Sequence, residues 1–209
     1  MLTVLDRSVW LHITALGDSS VTLPCIGLVA LWLLLAAPTR RPVWPWLLLV
    51  AGVMGLVAAS KLAFMVWGVT LPGFDFTGLS GHAAMAALVW PSVGGLLAGR
   101  SGTPWRLSGV ALGLLLAVAI ACSRVALHAH SVSEAALGFL TGAAFSLLFM
   151  WWHRQNWRLP WSALPALLPL LLVLPFVYGR HFPSQDLLVT IAQQAANGPL
   201  HTRQELHRR

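Results

Sequence analysis

Residues 107–152 read LSGVALGLLLAVAIACSRVALHAHSVSEAALGFLTGAAFSLLFMWW, and this stretch decides the fold class. Two apolar runs, Leu107–Cys122 and Ala135–Trp152, flank a polar string that begins at Ser123 and ends at Glu134. A helix needs about 20 apolar residues to cross the hydrocarbon core of a bilayer, and both runs approach that length. The pattern predicts two membrane helices that are joined by a polar connection.

The composition extends this prediction to the whole chain. Of its 209 residues, 57% are hydrophobic and only 9% are charged, and the mean hydropathy is +0.76. A soluble domain carries about 25% charged residues, so lipid has to cover much of this surface. Because backbone amides inside hydrocarbon must bond within their own segment, helices are favoured. We predict an all-α polytopic membrane helix bundle with about six transmembrane helices: Val21–Ala37, Trp46–Val66, His82–Ala98, Leu107–Cys122, Ala135–Trp152 and Pro160–Tyr178.

The two ends of the chain differ from this apolar middle. Residues 1–17 are predicted to form an N-terminal interfacial amphipathic helix, because apolar side chains recur at helical spacing: Leu2, Leu5, Val9, Ile13 and Leu16. Residues 1–179 are predicted to form one membrane-embedded domain, and residues 180–209 a polar C-terminal tail. A short surface helix is indicated within the tail by Leu187, Leu188, Ile191 and Ala195.

Arginines occupy alternate connections between the predicted helices. None of these three connections contains an acidic residue, and their arginines are Arg40, Arg41, Arg100, Arg106, Arg154 and Arg158. By the positive-inside rule that side of the membrane is cytoplasmic, so the remaining connections face outward. The net charge of +7 is modest and spread over loops, which favours membrane lipids as partners over nucleic acid. The sequence does not indicate an oligomeric state.

The polar string contains residues suited to nucleophilic chemistry. His130 and Glu134 are four residues apart at the start of a predicted helix, so they share one face. The carboxylate can accept a proton from one ring nitrogen and leave the other nitrogen as a nucleophile. Arg124, predicted to lie in the preceding loop, could bind phosphate oxygens through its forked guanidinium. The alternative is a polar loop with a capping serine at Ser131 or Ser133.

A second polar string, Ser80-Gly81-His82, begins the third apolar run. The N-terminus of a helix presents unpaired amides and a partial positive charge, which suits a phosphate. His82 could give a proton to a leaving oxygen, whereas Ser80 could simply cap the helix. Lys61 lies near the outer end of the second run, where it could contact phosphate or extend its amine to the membrane surface.

Together these residues resemble the type 2 phosphatidic acid phosphatase superfamily. The family pattern is a Lys, six residues and Arg-Pro; then Pro-Ser-Gly-His; then Ser-Arg, five residues, His, three residues and Asp. Arg124, His130 and Glu134 match the third part, with Glu in place of Asp. The resemblance covers about residues 61–142, and this third part is its most specific element.

The first two parts of the pattern match less completely. Ser80, Gly81 and His82 match the second part, but Leu79 stands where the family has Pro. Lys61 matches the first part only in its Lys, because residues 68 and 69 are Gly and Val instead of Arg and Pro. The resemblance therefore implies a phosphate site that lacks one arginine. We expect Arg180, which follows the sixth predicted helix on the outer side, to replace it, with Arg7 as the second choice.

The resemblance implies an integral membrane lipid phosphatase at the outer face of a bacterial inner membrane. His130 would attack phosphorus to form a phosphohistidine, Glu134 would orient it, and His82 would protonate the leaving group. The phosphate would be held by Lys61, Ser80, the Gly81 amide and Arg124. Such a cradle replaces a metal, and no cofactor is expected. Candidate substrates are undecaprenyl diphosphate, phosphatidylglycerol phosphate, phosphatidic acid and lipid A phosphate.

Other functions are compatible with the same residues. A lipid phosphotransferase would use the same phosphohistidine, and a non-catalytic lipid-binding relative would explain the absent arginine. A b-type cytochrome is suggested by His82, His128 and His130, but these histidines lack a facing pair at mid-membrane depth. His128 is also a rival nucleophile, although its six-residue separation from Glu134 fits one helical face less well.

Overall fold

The computed structural model describes residues 6–36, 43–98, 103–152, 183–196 and 198–206. Every regular element within these ranges is an α-helix, which confirms the predicted all-α bundle. The helices are α1 Arg7–Ala15, α2 Ser19–Ala36, α3 Val43–Trp67, α4 Gly81–Leu97, α5 Thr103–Ala126, α6 Val132–Trp152, α7 Ser184–Ala195 and α8 Arg203–Leu206.

Four helical stretches are long and apolar enough to cross a membrane: Arg7–Leu35, Val43–Trp67, Thr103–Ala126 and Val132–Trp152. The apolar helix α4 is shorter, at 17 residues. The first five predicted spans each coincide with a helix, whereas the sixth, Pro160–Tyr178, lies outside the described residues. Large apolar side chains on these helices are exposed, as lipid contact requires; examples are Leu35, Leu48, Leu112, Leu115 and Leu140.

One boundary differs from the sequence prediction in a way that affects the polar string. Helix α5 continues past Cys122 to Ala126, so Arg124 lies in its last turn and not in a loop as predicted. Ser123 is buried there and its hydroxyl donates to the carbonyl of Ile120 at 2.6 Å, so a polar side chain is satisfied without ending the helix. The extension places Arg124 at the C-terminal end of α5, six residues before His130.

Helix α4 lies at the centre of the bundle, in contact with α2, α3, α5 and α6. Its first half is almost entirely buried and consists largely of alanine: Ala83, Ala84, Ala86 and Ala87, with Leu88 and Val89. Small side chains let neighbouring membrane helices approach closely, which is the main source of packing energy where lipid removes the hydrophobic driving force. The N-terminus of α4 is thereby enclosed by the other helices.

Two glycines on α6 set the distance between α4 and α6. A Cβ atom on Gly138 would lie 2.6 Å from the carbonyl oxygen of Ser80, and one on Gly142 would lie 2.0 Å from that of Ala84. These residues are one turn apart on α6, so they form a continuous seam along the first turns of α4. The seam brings the N-terminus of α4 beside the N-terminus of α6.

The segments that the sequence analysis assigned to an interfacial helix and a tail both pack against the bundle. Helix α1 contacts α5, and the carbonyl of Leu16 accepts a hydrogen bond of 3.1 Å from Trp90 Nε1. Helix α7 packs on α3 through an apolar cluster that includes Phe64, Met65 and Ala192. The placement of α1 at the membrane surface stays a prediction.

The glycine seam predicts an unequal effect of two alanine substitutions. Gly142→Ala should lower the thermal midpoint of the purified protein by about 4 °C or more, because overpacking costs about 1–3 kcal/mol. Gly27→Ala on α2 is the matched control, since its Cβ would meet no atom within 4 Å. Equal midpoints for both variants would show that the seam does not limit the spacing of α4 and α6.

Candidate active site

The polar strings meet in one cavity of about 900 Å³ at a single end of the bundle. Helices α3 and α5 contribute residues near their C-termini, and α4 contributes its first turn. The charged or titratable lining residues are Lys61, His82, Arg124, His130, His201 and Arg203. The apolar wall includes Met54, Val57, Met85, Leu187, Leu188 and Ile191. The cavity thus combines a set of cationic lining residues with an apolar wall.

His130 and Glu134 form a hydrogen-bonded pair, as their spacing predicts. Nδ1 of His130 lies 2.7 Å from Oε2 of Glu134. The Glu134 side chain is fully buried, whereas the His130 side chain is 14% exposed and lines the cavity. Because Nδ1 is committed to the carboxylate, Nε2 is the ring nitrogen left for chemistry.

Glu134 is held by donors from three further residues. Its Oε1 atom accepts hydrogen bonds from the Thr77 amide at 2.7 Å and the Thr77 hydroxyl at 2.6 Å. Its Oε2 atom accepts one from the Ser131 amide at 3.1 Å. Nη2 of Arg203 donates to both carboxylate oxygens and to the Thr77 hydroxyl. A buried carboxylate surrounded by such donors is stabilised in its ionised form.

The turn that carries His130 is fixed by its own backbone. The amides of Ala129 and His130 donate to the carbonyl of Arg124 at 3.0 and 3.2 Å. His128 adopts a left-handed conformation with φ of 55°, which lets the chain reverse between α5 and α6. The exposed His128 is not among the residues that line the cavity, so the rival nucleophile lies away from the site.

The electrostatic surroundings of His130 favour its neutral form. Burial lowers the pKa of the His130 ring below its ordinary value, and the positive charges of Lys61 and Arg124 lower it further. The hydrogen bond to Glu134 raises the pKa and opposes part of this effect. A neutral ring retains the Nε2 lone pair that a nucleophile requires.

His82 lies on the first turn of α4 and lines the same cavity. Its Nε2 atom is 3.4 Å from Oδ2 of Asp18, a residue between α1 and α2. The sequence alone does not distinguish Asp18 as a site residue, because an Asp followed by two serines at the start of a helix is typical of an N-cap. His82 and His130 therefore each face a carboxylate.

The predicted phosphate ligands are not all placed alike. Lys61, Gly81 and Arg124 line the cavity. Nζ of Lys61 donates to Oε1 of Gln185 at 2.7 Å, and Nη1 of Arg124 donates to the Thr14 hydroxyl at 3.0 Å. These contacts hold both cations at the cavity wall.

Ser80 lies behind the cavity instead of lining it. Its side chain is fully buried, and its amide donates to the carbonyl of Glu134 at 3.1 Å. Its hydroxyl has no hydrogen-bond partner within the described part of the chain. Ser80 thus ties the start of α4 to the start of α6, and the next two residues, Gly81 and His82, line the cavity.

A hydrogen bond of the Leu79 amide explains why this position, where the family has Pro, is not a proline here. Its amide donates to the hydroxyl of Ser60 at 3.0 Å, and that hydroxyl donates to the carbonyl of Val57 at 2.8 Å. A proline has no N–H and could not make this bond. The connection before α4 is therefore attached to α3 one residue before Lys61.

The arginine expected from the sequence lies outside the described residues, and another arginine is found in the site. Arg180 falls in the undescribed range, so its predicted role is not addressed. Arg203, in the segment predicted as a polar tail, lines the cavity and binds Glu134. Its Nε atom also lies 3.6 Å from Oδ1 of Asp75. No local pattern in the sequence signals a contact between residues 69 positions apart.

Comparison with known proteins agrees with this geometry. A model of the PAP2 superfamily matches residues 66–158. The chain is 38% identical over 207 residues to the "Uncharacterized 22.5 kDa protein in cps region" of Klebsiella pneumoniae, covering 95% of this chain and 98% of that relative. The chain belongs to the PAP2 superfamily. No solved structure matches it.

Membership of the PAP2 superfamily supports a phosphatase-type function, and the apolar helices fit a membrane protein. The matched range contains the His82 and His130 strings but neither Lys61 nor Arg203. Within the described residues, no group of three or more His, Cys, Asp or Glu side chains could hold a metal ion. The cationic lining suits an anionic ligand such as a phosphate.

Arg203 should therefore be required for turnover in this PAP2 superfamily member. We expect Arg203→Gln to lower kcat by about tenfold or more, because about 1.4 kcal/mol of lost transition-state stabilisation corresponds to a factor of ten. Phosphate release from a lipid phosphate substrate is the measurement. Arg106→Gln, at the opposite end of α5, is the matched control. A kcat for Arg203→Gln equal to that of the control would contradict a role in the site.

Proposed function

We propose that this protein is an integral membrane lipid phosphatase that acts through a phosphohistidine on His130. The observation that carries the proposal is the His130–Glu134 pair, whose free Nε2 faces a cavity lined by Lys61, Arg124 and Arg203. The N-terminal amides of α4 open onto the same cavity at Gly81. A phosphoryl group placed there would meet positive charge from several directions while its phosphorus faces the nucleophile.

The reaction proceeds in two displacements. The Nε2 lone pair of His130 attacks phosphorus, the bond from phosphorus to the leaving oxygen breaks, and His82 gives that oxygen a proton. Water then attacks the phosphohistidine, and His82 takes a proton from this water as the phosphorus–nitrogen bond breaks. Inorganic phosphate leaves, and both histidines return to their starting states. Glu134 stabilises the positive charge on His130 during each step.

The shape of the cavity favours a lipid as the leaving group. One wall consists of apolar side chains from α3, α4 and α7, including Met54, Met85, Leu188 and Ile191. These side chains would accommodate the first part of an acyl or prenyl chain, while the cations hold the phosphate. The substrate is therefore a lipid phosphomonoester or diphosphate, with undecaprenyl diphosphate, phosphatidylglycerol phosphate, phosphatidic acid and lipid A phosphate as the candidates.

The arrangement of charge supports an outward-facing site in a bacterial inner membrane. Lys61 lies toward the end of α3, Arg124 at the end of α5, and His82 at the start of α4, so the cavity occupies one end of the bundle. Arg106 lies in the first turn of α5, at the other end of that helix from Arg124, and the sequence predicts further arginines for the connections on that side. Since arginine-rich connections face the cytoplasm, the cavity faces the periplasm or exterior.

The nucleophile can be tested with two neighbouring histidines. His130→Ala should abolish phosphate release from every lipid phosphate in a panel, and it should also abolish formation of an acid-labile phosphoenzyme from labelled substrate. His128→Ala is the matched control, because this exposed side chain lies outside the cavity, and it should retain near-normal turnover. Loss of activity in the control with retention in His130→Ala would reverse the assignment.

The cationic lining of the cavity also predicts that turnover does not require a metal ion. Turnover should persist in excess EDTA, because Lys61, Arg124 and the α4 amides already supply positive charge to the phosphate. The measurement is the initial rate of phosphate release before and after prolonged dialysis against the chelator. A rate that falls with EDTA and returns with added magnesium or zinc would refute the metal-free mechanism.

A further inference from the structure

The corner between α1 and α2 rests directly on the first turn of α4. A Cβ atom on Gly17 would lie 2.6 Å from a methyl carbon of Ile120 and 3.3 Å from the carbonyl oxygen of His82, so only glycine fits there. This close approach places Asp18, which is 8% exposed, against the imidazole of His82. The corner lies outside the range matched by the superfamily, which begins at residue 66.

The carboxylate of Asp18 has two different partners. Its Oδ1 atom accepts the Ser20 amide at 2.8 Å, which is a cap on the first turn of α2. Its Oδ2 atom lies 3.4 Å from Nε2 of His82. A cap requires only a side-chain oxygen, which Asn or Ser supplies equally well. The negative charge of Asp18 is therefore not needed by the helix, and its partner is the ring of His82.

The neighbours of His82 make this charge important for a proton donor. The groups that face the ring are Asp18 from the α1–α2 corner, Arg124 from α5 and His130 from the α5–α6 turn. Lys61 of α3 and Arg203 of the C-terminal segment line the same cavity. Burial and repulsion from Arg124 disfavour a protonated imidazole, and the negative charge of Asp18 opposes part of this effect.

We propose that Asp18 is the positioning residue for His82, which it orients through Nε2 and holds in the protonated form that the leaving oxygen requires. This inference rests on the proposed phosphatase function. In the first displacement Nδ1 of His82 gives its proton to the leaving oxygen, while Nε2 keeps its proton and its bond to Asp18. His82 and His130 are then each paired with a carboxylate but have different roles: Glu134 fixes Nδ1 of His130 and leaves Nε2 for attack, whereas Asp18 favours the charged, proton-donating form of His82.

The test compares two leaving groups. A lipid alkoxide needs a proton as it departs, whereas p-nitrophenolate is stable as an anion and depends little on a general acid. Asp18→Asn keeps the cap and removes the charge. It should lower kcat/KM, which covers only the steps up to phosphoenzyme formation, by about tenfold or more for phosphatidic acid, as expected when a general acid is impaired. It should change kcat/KM for p-nitrophenyl phosphate by less than about threefold. The alkaline limb of the pH profile for phosphatidic acid should move to lower pH.

Controls separate this effect from a structural one. Asp6→Asn makes the same isosteric change at an exposed carboxylate near the start of α1, and it should leave both rates unchanged. Asp18→Ser repeats the test with a second cap residue if the asparagine variant does not fold. In a His82→Ala background, Asp18→Asn should cause no further loss on p-nitrophenyl phosphate, because its effect passes through the missing ring.

The outcomes distinguish this inference from the function on which it rests. If the wild type is active and Asp18→Asn loses activity on both substrates equally, or on neither, the role of Asp18 is overturned and the phosphatase proposal stays intact. An additional loss in the His82→Ala background also overturns it. A wild type that releases phosphate from no lipid phosphate and from no aryl phosphate overturns the proposed function and this inference together.

Discussion

The burial of the Glu134 carboxylate is the constraint on which the site depends. Removing a carboxylate from water costs several kcal/mol unless hydrogen bonds and opposite charge replace the lost hydration. Here the replacement comes from Thr77 before α4, Ser131 before α6, His130, and Arg203 near the C-terminus. Because these donors come from separate parts of the chain, satisfying one carboxylate fixes the relative positions of those parts.

The glycine seam between α4 and α6 links the burial of Glu134 to the packing of the whole bundle. Gly138 and Gly142 let the two helices approach until the Ser80 amide bonds to the Glu134 carbonyl. The first two residues of α4, Gly81 and His82, then line the cavity that contains Lys61 and Arg124. Electrostatic stabilisation of a phosphoryl group requires charges that are already in place. Helix packing positions these charges without a metal ion.

The parts of the site that follow helical periodicity could be predicted from the sequence, and the parts that depend on tertiary contact could not. The spacing of His130 and Glu134 dictates their shared face, and the Ser-Gly-His string marks a helix start. In contrast, the position of Arg124 within α5 depends on the buried hydroxyl of Ser123, a local detail that composition does not reveal. Ser80 lies at the helix start behind the cavity, which the string itself does not distinguish from a phosphate ligand.

Long-range contacts account for the remaining difference between prediction and structure. Arg124 bonds to Thr14, which precedes it by 110 residues, and Lys61 bonds to Gln185, which follows it by 124 residues. The apolar face of α7 was visible in the sequence, but its packing against α3 was not, since amphipathic helices suit both membrane surfaces and protein surfaces. In the sequence Asp18 resembles an ordinary helix cap, because the contact of its second oxygen with His82 forms only in the folded chain.

The bond between Arg203 and Glu134 also has a consequence for biosynthesis. The guanidinium is encoded 69 residues after the carboxylate that it neutralises. During translation, α5 and α6 can enter the bilayer and pair with α4 well before this arginine leaves the ribosome. Throughout that interval Glu134 lacks its cationic partner, although Thr77, Ser131 and His130 are already present. The buried carboxylate therefore gains its arginine partner only after α4, α5 and α6 have been synthesised.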